Sequence, residues 1–139
     1  MSPIKIQAVR EVFPTAQLDC LNCSELHLPE QPINNTRECV LKRLEFIRTR
    51  KGYDLYLAIE NGIENNQDIA FVAVNHGQLF ESFPYEMEYI NEFLASGVKT
   101  TYGKFLNAKD PSIPHDNWVK HYGYDRKDQI VDALNKMLD

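Results

Sequence analysis

The sequence predicts a mixed α/β domain, with helices packed on a curved, largely antiparallel sheet, and three observations predict it. Residues 54–60 alternate so that Leu55, Leu57 and Ile59 share one face of a strand. Turn residues at Asn61-Gly62, Asn65-Asn66 and His76-Gly77 then separate that strand from two more, a short meander. Apolar residues recur at helical spacing near both ends of the chain and between them. The order that results is helix, strand, helix, three-stranded meander, helix, loop, helix, without internal repeats or low-complexity segments.

A chain of 139 residues is most simply one domain, spanning 1–139, with room for a single substantial core. Apolar residues at 43% and charged residues at 25% are ordinary for a globular protein. A net charge of -5 argues against a general nucleic-acid binder, whose affinity comes from clustered Lys and Arg. No apolar run reaches membrane-spanning length and no basic-then-apolar leader opens the chain, so a cytoplasmic setting without membrane contact is expected. Three cysteines without a secretory signal favour reduced thiols. Cys20, Cys23, His27 and Cys39 offer zinc-ligand chemistry, but without a second tight pair they read as small hydrophobes.

Residues 4–13 place Ile4, Ile6, Ala8, Val9, Val12 and Phe13 at helical spacing, with Ser2-Pro3 as cap and first turn and Pro14 as the stop. Residues 16–22 alternate loosely around Leu18 and Leu21 and are expected to form a strand leading to Glu25. Pro29 and Pro32 stiffen the next loop and present Glu30 and Gln31. Asn35 followed by Glu38 reads as a capping box for a helix with Val40, Leu41, Leu44 and Ile47 behind it, ending near Lys51-Gly52. Strands follow at 54–60, 69–75 and 79–83. Pro84 should open a helix with Met87, Ile90, Phe93 and Leu94 inward and Gly97 as its cap. Gly103, Pro111 and Pro114 break periodicity over 98–116, which reads as a connecting loop or a lid. Asp125 caps a last helix whose Ile130, Val131, Leu134, Met137 and Leu138 face the core.

The stretch from Glu25 to Arg43 carries the chemistry. A helix start combines free N–H groups with a positive dipole, and Arg37, Lys42 and Arg43 add cations, which together suit a phosphate. A solvated amphipathic surface helix explains the same charges.

Pro29-Glu30-Gln31-Pro32 followed by Thr36-Arg37 and Arg43 resembles the segment S-G-V-P-E-Q-P…E-T-R-x-G-A-x-N-R of the inosine/xanthosine triphosphatases, a family of purine nucleotide hydrolases. Residues 2–9, Ser-Pro-Ile-Lys-Ile-Gln-Ala-Val, are similar to that family's T-x-N-P-x-K-I-x-A-V, with Lys5 as the retained cation and no counterpart of the family's first strand. Residues 53–63 resemble A-D-Y-x-V-G-I-E-G-G-I, matching Asp54 and Glu60 to its acidic positions. The segment from Phe83-Pro84 to Gly97 resembles S-x-x-L-P…V…G, and Gly123, Arg126 and Ala133-Leu134 resemble the ending G-x-x-T-R…A-x-x-A-L.

The resemblance implies a purine NTPase-like fold with a central cleft, usually a homodimer, and hydrolysis of inosine or xanthosine triphosphate. It implies Asp54 and Glu60 as catalytic carboxylates, Glu25 as a magnesium ligand, and Lys5, Gln31, Arg37, Arg43 and Arg126 as contacts to a purine nucleotide. Read without it, Glu25 is a loop residue, Asp54 a turn residue and Glu60 a charge at the sheet edge. Trp118 and its neighbours His115, His121, Tyr122 and Tyr124 either stack on a purine or pack beneath the loop, and packing is the simpler reading. The family's glutamate, glycine and asparagine are replaced by Asn35, Cys39 and Lys42. Those departures raise a second reading, a catalytically inactive relative that binds a nucleotide or a protein partner.

Overall fold

The computed structural model describes residues 2–139 and has helices on both faces of an antiparallel sheet. Helix α1 (Pro3–Val12) is followed by a single 3-10 turn at Ser24–Leu26 and by α2 (Thr36–Ile47). Strands β1 (Leu57–Glu64), β2 (Gln67–Val74), β3 (Gln78–Glu81) and β4 (Tyr85–Glu86) come next. Helices α3 (Ile90–Ala95), α4 (Tyr102–Lys109), α5 (Trp118–His121) and α6 (Arg126–Leu138) complete the chain. Among the described residues, no helix is long and apolar enough to cross a membrane.

The meander gives the strand order β1-β2-β3, with β4 pairing the Gln67-Asp68 end of β2. Pairing of Ile59 with Val72 and of Glu60 with Phe71 fixes which side chains share a face, because a strand's side chains alternate. Ile59, Ala70, Val72 and Val74 pack against Ala8 and Val9 of α1 and Ile130, Ala133 and Leu134 of α6. Ala58, Phe71 and Ala73 meet Val40 and Leu44 of α2 on the other face. A third apolar cluster joins Ile63 and Tyr85 to α3, α4 and α5 through Phe93, Tyr102, Leu106 and Trp118.

The terminal helices follow their sequence signals. Ser2 Oγ accepts a hydrogen bond from the Lys5 N–H at 3.4 Å, with Pro3 in the first turn, and Asp125 accepts one from the Lys127 N–H at 2.9 Å. The last helix departs from expectation only at Leu138, which is 57% exposed.

Four local expectations are corrected. The Asn35 capping box does not form, because the Asn35 side chain turns back to accept the Ile33 N–H at 3.1 Å. That turn steers residues 32–34 along β1, where the Ile63 N–H donates to the Pro32 carbonyl and the Asn34 N–H to the Ile63 carbonyl, each at 2.8 Å. Asn61-Gly62 is not a turn, and β1 runs through it to reverse at Asn65-Asn66, both with positive φ. Gly62 serves close packing instead, since an added Cβ would lie 2.0 Å from Thr36 Oγ1 and 2.9 Å from the Pro32 carbonyl. Residues 16–22 form no strand, having no ladder partner. After Pro84 the chain pairs briefly as β4 before α3 begins at Ile90, although Gly97 does take the left-handed φ of a helix stop.

The 98–116 segment contains α4, capped by Thr101 and buried through Tyr102, Gly103 and Leu106. Gly103, which reads as a breaker, lets α4 approach the next loop: a Cβ there would sit 2.0 Å from the His115 carbonyl oxygen. Trp118 packs edge-on to Tyr102 with centroids 4.8 Å apart, and Tyr124 stacks on Tyr85 at 4.2 Å. These rings therefore fill the core beside α4.

Candidate functional site

Strand β1 lies at the edge of the sheet, with α1 on one face and α2 on the other, and each helix sends a cation to it. Lys5 Nζ donates to the Ile59 carbonyl at 3.1 Å. Arg43 Nε donates to Glu60 Oε2 at 2.6 Å, with the Glu60 side chain 5% exposed and that of Arg43 27%. The helix periods account for the arrangement: Lys5 sits three residues before Ala8, and Arg43 follows Val40 by three, so each rises from a core-facing turn. Burial pulls the Lys5 pKa below the usual lysine range. The Glu60 carboxylate opposes that shift, whereas Arg43 and Arg126 reinforce it.

Beside this group opens a cleft of about 1070 Å³. Lys5, Val9 and Phe13 of α1 wall one side, Arg43 and Ile47 of α2 the other, and Leu57, Ala58 and Ile59 of β1 lie between them. Residues 15–24 and 52–56 close the rest, tied to each other where Tyr53 Oη donates to Asp19 Oδ2 at 2.6 Å. Asp54 is exposed on the second of these segments and also lines the cleft.

Lys5, Arg43 and Asp54 thus border one hollow, and Glu60 is held beside it by Arg43. Arg126 stands near enough to act on the Lys5 ammonium, yet its guanidinium is held by Asp68 and by Gln129 Oε1, the latter at 3.0 Å. Gln129 is wholly buried and also accepts from Asn61 Nδ2 at 3.0 Å and donates to the Asp68 carbonyl at 2.9 Å. This network locks α6 to the sheet.

Three expected ligand contacts lie elsewhere. Gln31 accepts the Tyr102 N–H at 2.8 Å, fastening the proline loop to the start of α4. Arg37 reaches Glu81 on β3 at 3.1 Å and covers the Phe71 ring. Glu25 is exposed on the 3-10 turn and does not border the cleft.

Asp68, Asn61 and Gln129 escape the sequence reading. An acid and an amide within otherwise apolar stretches are the signals that point to a buried polar network. Thr36 is a further surprise, its Oγ1 buried at the start of α2 without a hydrogen-bond partner.

Cys20 and Cys23 border the cleft, whereas Cys39 is buried in α2, where burial, with Glu60 adding to it, raises the thiol's pKa. Among the described residues no three His, Cys, Asp or Glu side chains gather where they could hold a metal ion. Asp19 and Asp54 are the carboxylates that line the cleft.

No family model matches the chain, and no curated protein does either. Among solved structures it is similar to protein VC0702 from Vibrio cholerae, with a TM-score of 0.66 at 18% identity, over 100% of this chain and 92% of that one. The likeness is one of fold: helices on an antiparallel open sheet in a mixed α/β arrangement.

Proposed function

We propose that the charged end of the cleft binds the phosphates of a purine nucleoside triphosphate, and that the chain is a divergent hydrolase of the inosine/xanthosine triphosphatase type. The observation that carries this reading is that cations from opposite faces of the sheet reach adjacent residues of β1, Lys5 at the Ile59 carbonyl and Arg43 at the buried Glu60. Two cations offer complementary chemistry: a compact ammonium for a point contact, and a planar guanidinium for two oxygens at once.

Phosphate entry gives Arg43 a second anionic partner and loosens its hold on Glu60. The freed carboxylate accepts a proton from a water, whose oxygen attacks phosphorus as the bond to the leaving phosphate oxygen breaks. The products are a monophosphate with pyrophosphate, or a diphosphate with phosphate. Lys5 and Arg43 neutralise charge on the phosphoryl oxygens, and positioning supplies most of the rate. Magnesium, entering with the triphosphate, would supply further neutralisation, with Asp54 and Asp19 the carboxylates that line the cleft and could hold it.

One observation favours a second reading, a nucleotide binder without turnover. Glu60 already has its carboxylate oxygen engaged by Arg43 at 2.6 Å, which leaves less of it open to an attacking water. Hydrolysis of inosine triphosphate with magnesium, run beside Glu60→Gln, separates the two. Turnover that falls by about a hundredfold or more in the variant supports the hydrolase. Saturable binding without turnover supports the silent binder, and absence of both overturns the proposal.

A further inference from the structure

We infer that the cleft accepts an extended polypeptide as an additional strand beside β1. The inference rests on the strand's main chain and stands apart from the nucleotide reading. In β1, hydrogen bonds to residues 32–34 show that Ile63 turns its N–H and C=O away from β2, and Lys5 meets the Ile59 carbonyl on that same outer side. Tyr56, in contrast, pairs inward with Asn75. Main-chain direction alternates along an antiparallel strand, so Leu57, Ile59 and Asn61 all present their groups outward. Among the described residues no main-chain partner meets these three, and a lysine side chain alone engages the Ile59 carbonyl.

The space beside this edge has the form of a strand's place. It is recessed between α1 and α2, so a second copy's sheet edge has no straight approach. Residues 15–23 line its far wall and themselves lack a ladder partner. Side chains of an inserted strand would alternate toward Val9 and Phe13 on one flank and Ile47 on the other. Each flank has an apolar part, Val9 and Phe13 beyond Lys5 and Ile47 beyond Arg43, which selects a peptide with apolar residues on both faces. From Leu57 to Asn61 the edge spans about 13 Å, the reach of a five- or six-residue segment.

The occupant is therefore an extended, apolar, main-chain-pairing peptide, recognised by strand addition. Its N–H would take over the Ile59 carbonyl from the Lys5 ammonium. Residues 32–34, already bridged parallel to β1 at Ile63, mark where the open edge stops.

The probe is an acetylated and amidated peptide, Lys-Val-Thr-Val-Val-Ile-Val-Lys, added to the full chain, with hydrogen exchange of the Leu57, Ile59 and Asn61 amides as the readout. A version N-methylated at every amide keeps the side chains but removes the donors on both of its edges. Slowing of exchange by about tenfold or more with the first peptide and not with the second supports strand addition. Three results overturn it: no protection at millimolar peptide, equal protection by both peptides, or protection already present in a peptide-free dimer seen by light scattering. Nucleotide titration of a peptide-free sample reports separately on the phosphate site.

Discussion

Replacing Arg43 with methionine should destabilise the protein by about 3–5 kcal/mol, because it leaves the Glu60 carboxylate, 5% exposed, without its guanidinium partner. Met keeps much of the aliphatic volume, so the loss reports charge pairing rather than a void. Glu60→Gln should cost less, about 1–3 kcal/mol, since the amide still accepts a hydrogen bond and Arg43, at 27% exposure, retains some water. The double variant Arg43→Met/Glu60→Gln removes both charges together. Its cost should fall below the sum of the singles by about 1–3 kcal/mol, as for residues in one ion pair. Urea denaturation at neutral pH measures all four corners, and an unchanged slope with denaturant certifies that midpoints reflect stability. Costs that add to within about 0.5 kcal/mol would refute the reasoning, for the two side chains would then be energetically independent.

Burial holds the Lys5 pKa in the folded chain below its value in the unfolded one. Between those two values the unfolded chain binds the extra proton, so stability rises with pH; Lys5→Met should flatten that alkaline rise, and an unchanged pH slope would contradict the assignment. Gly62→Ala should cost about 1–3 kcal/mol by forcing β1 away from Thr36 and Pro32, read as a lower midpoint in the same denaturation experiment. Thr36→Val should raise stability by about 1 kcal/mol, because it replaces a buried hydroxyl that has no partner with a methyl of similar shape. A loss of stability there would mean that a water or another group satisfies the hydroxyl in solution.

The parts of this fold that sequence reveals are those governed by local rules. Ser2-Pro3 and Asp125 announce helices α1 and α6 because their caps are made within one turn. The meander is legible because alternation and asparagine turns act over a few residues. Gly62 and Gly103 mislead for a shared reason. Each looks like punctuation, yet each is needed for a close approach to a distant segment, Thr36 in one case and His115 in the other. Asn35 misleads because its side chain had two backbone partners within reach, and the loop toward Ile33 won over the helix start. Residues 16–22 have the pattern of a strand, but pairing needs an edge, and they border the cleft instead of a ladder.

The candidate site is legible in the same uneven way. Lys5, Arg43 and Glu60 are singled out through the motif resemblance, and the fold brings them to adjacent residues of β1. Gln31 and Arg37 come from the same motif, yet Gln31 fastens α4 and Arg37 covers β3, tasks set by partners more than forty residues away in sequence. Arg126 carries the charge expected of a ligand contact, but Asp68 beside it, buried at 1%, shows how much of that charge the fold itself uses.

Whether the cleft takes a purine triphosphate through Lys5 is read by calorimetric titration of inosine triphosphate into the wild-type protein and into Lys5→Met, both verified as folded. Saturable binding at one site is expected, weakened about tenfold or more when the ammonium is lost. No binding at millimolar nucleotide, or equal affinity in the two proteins, would contradict it.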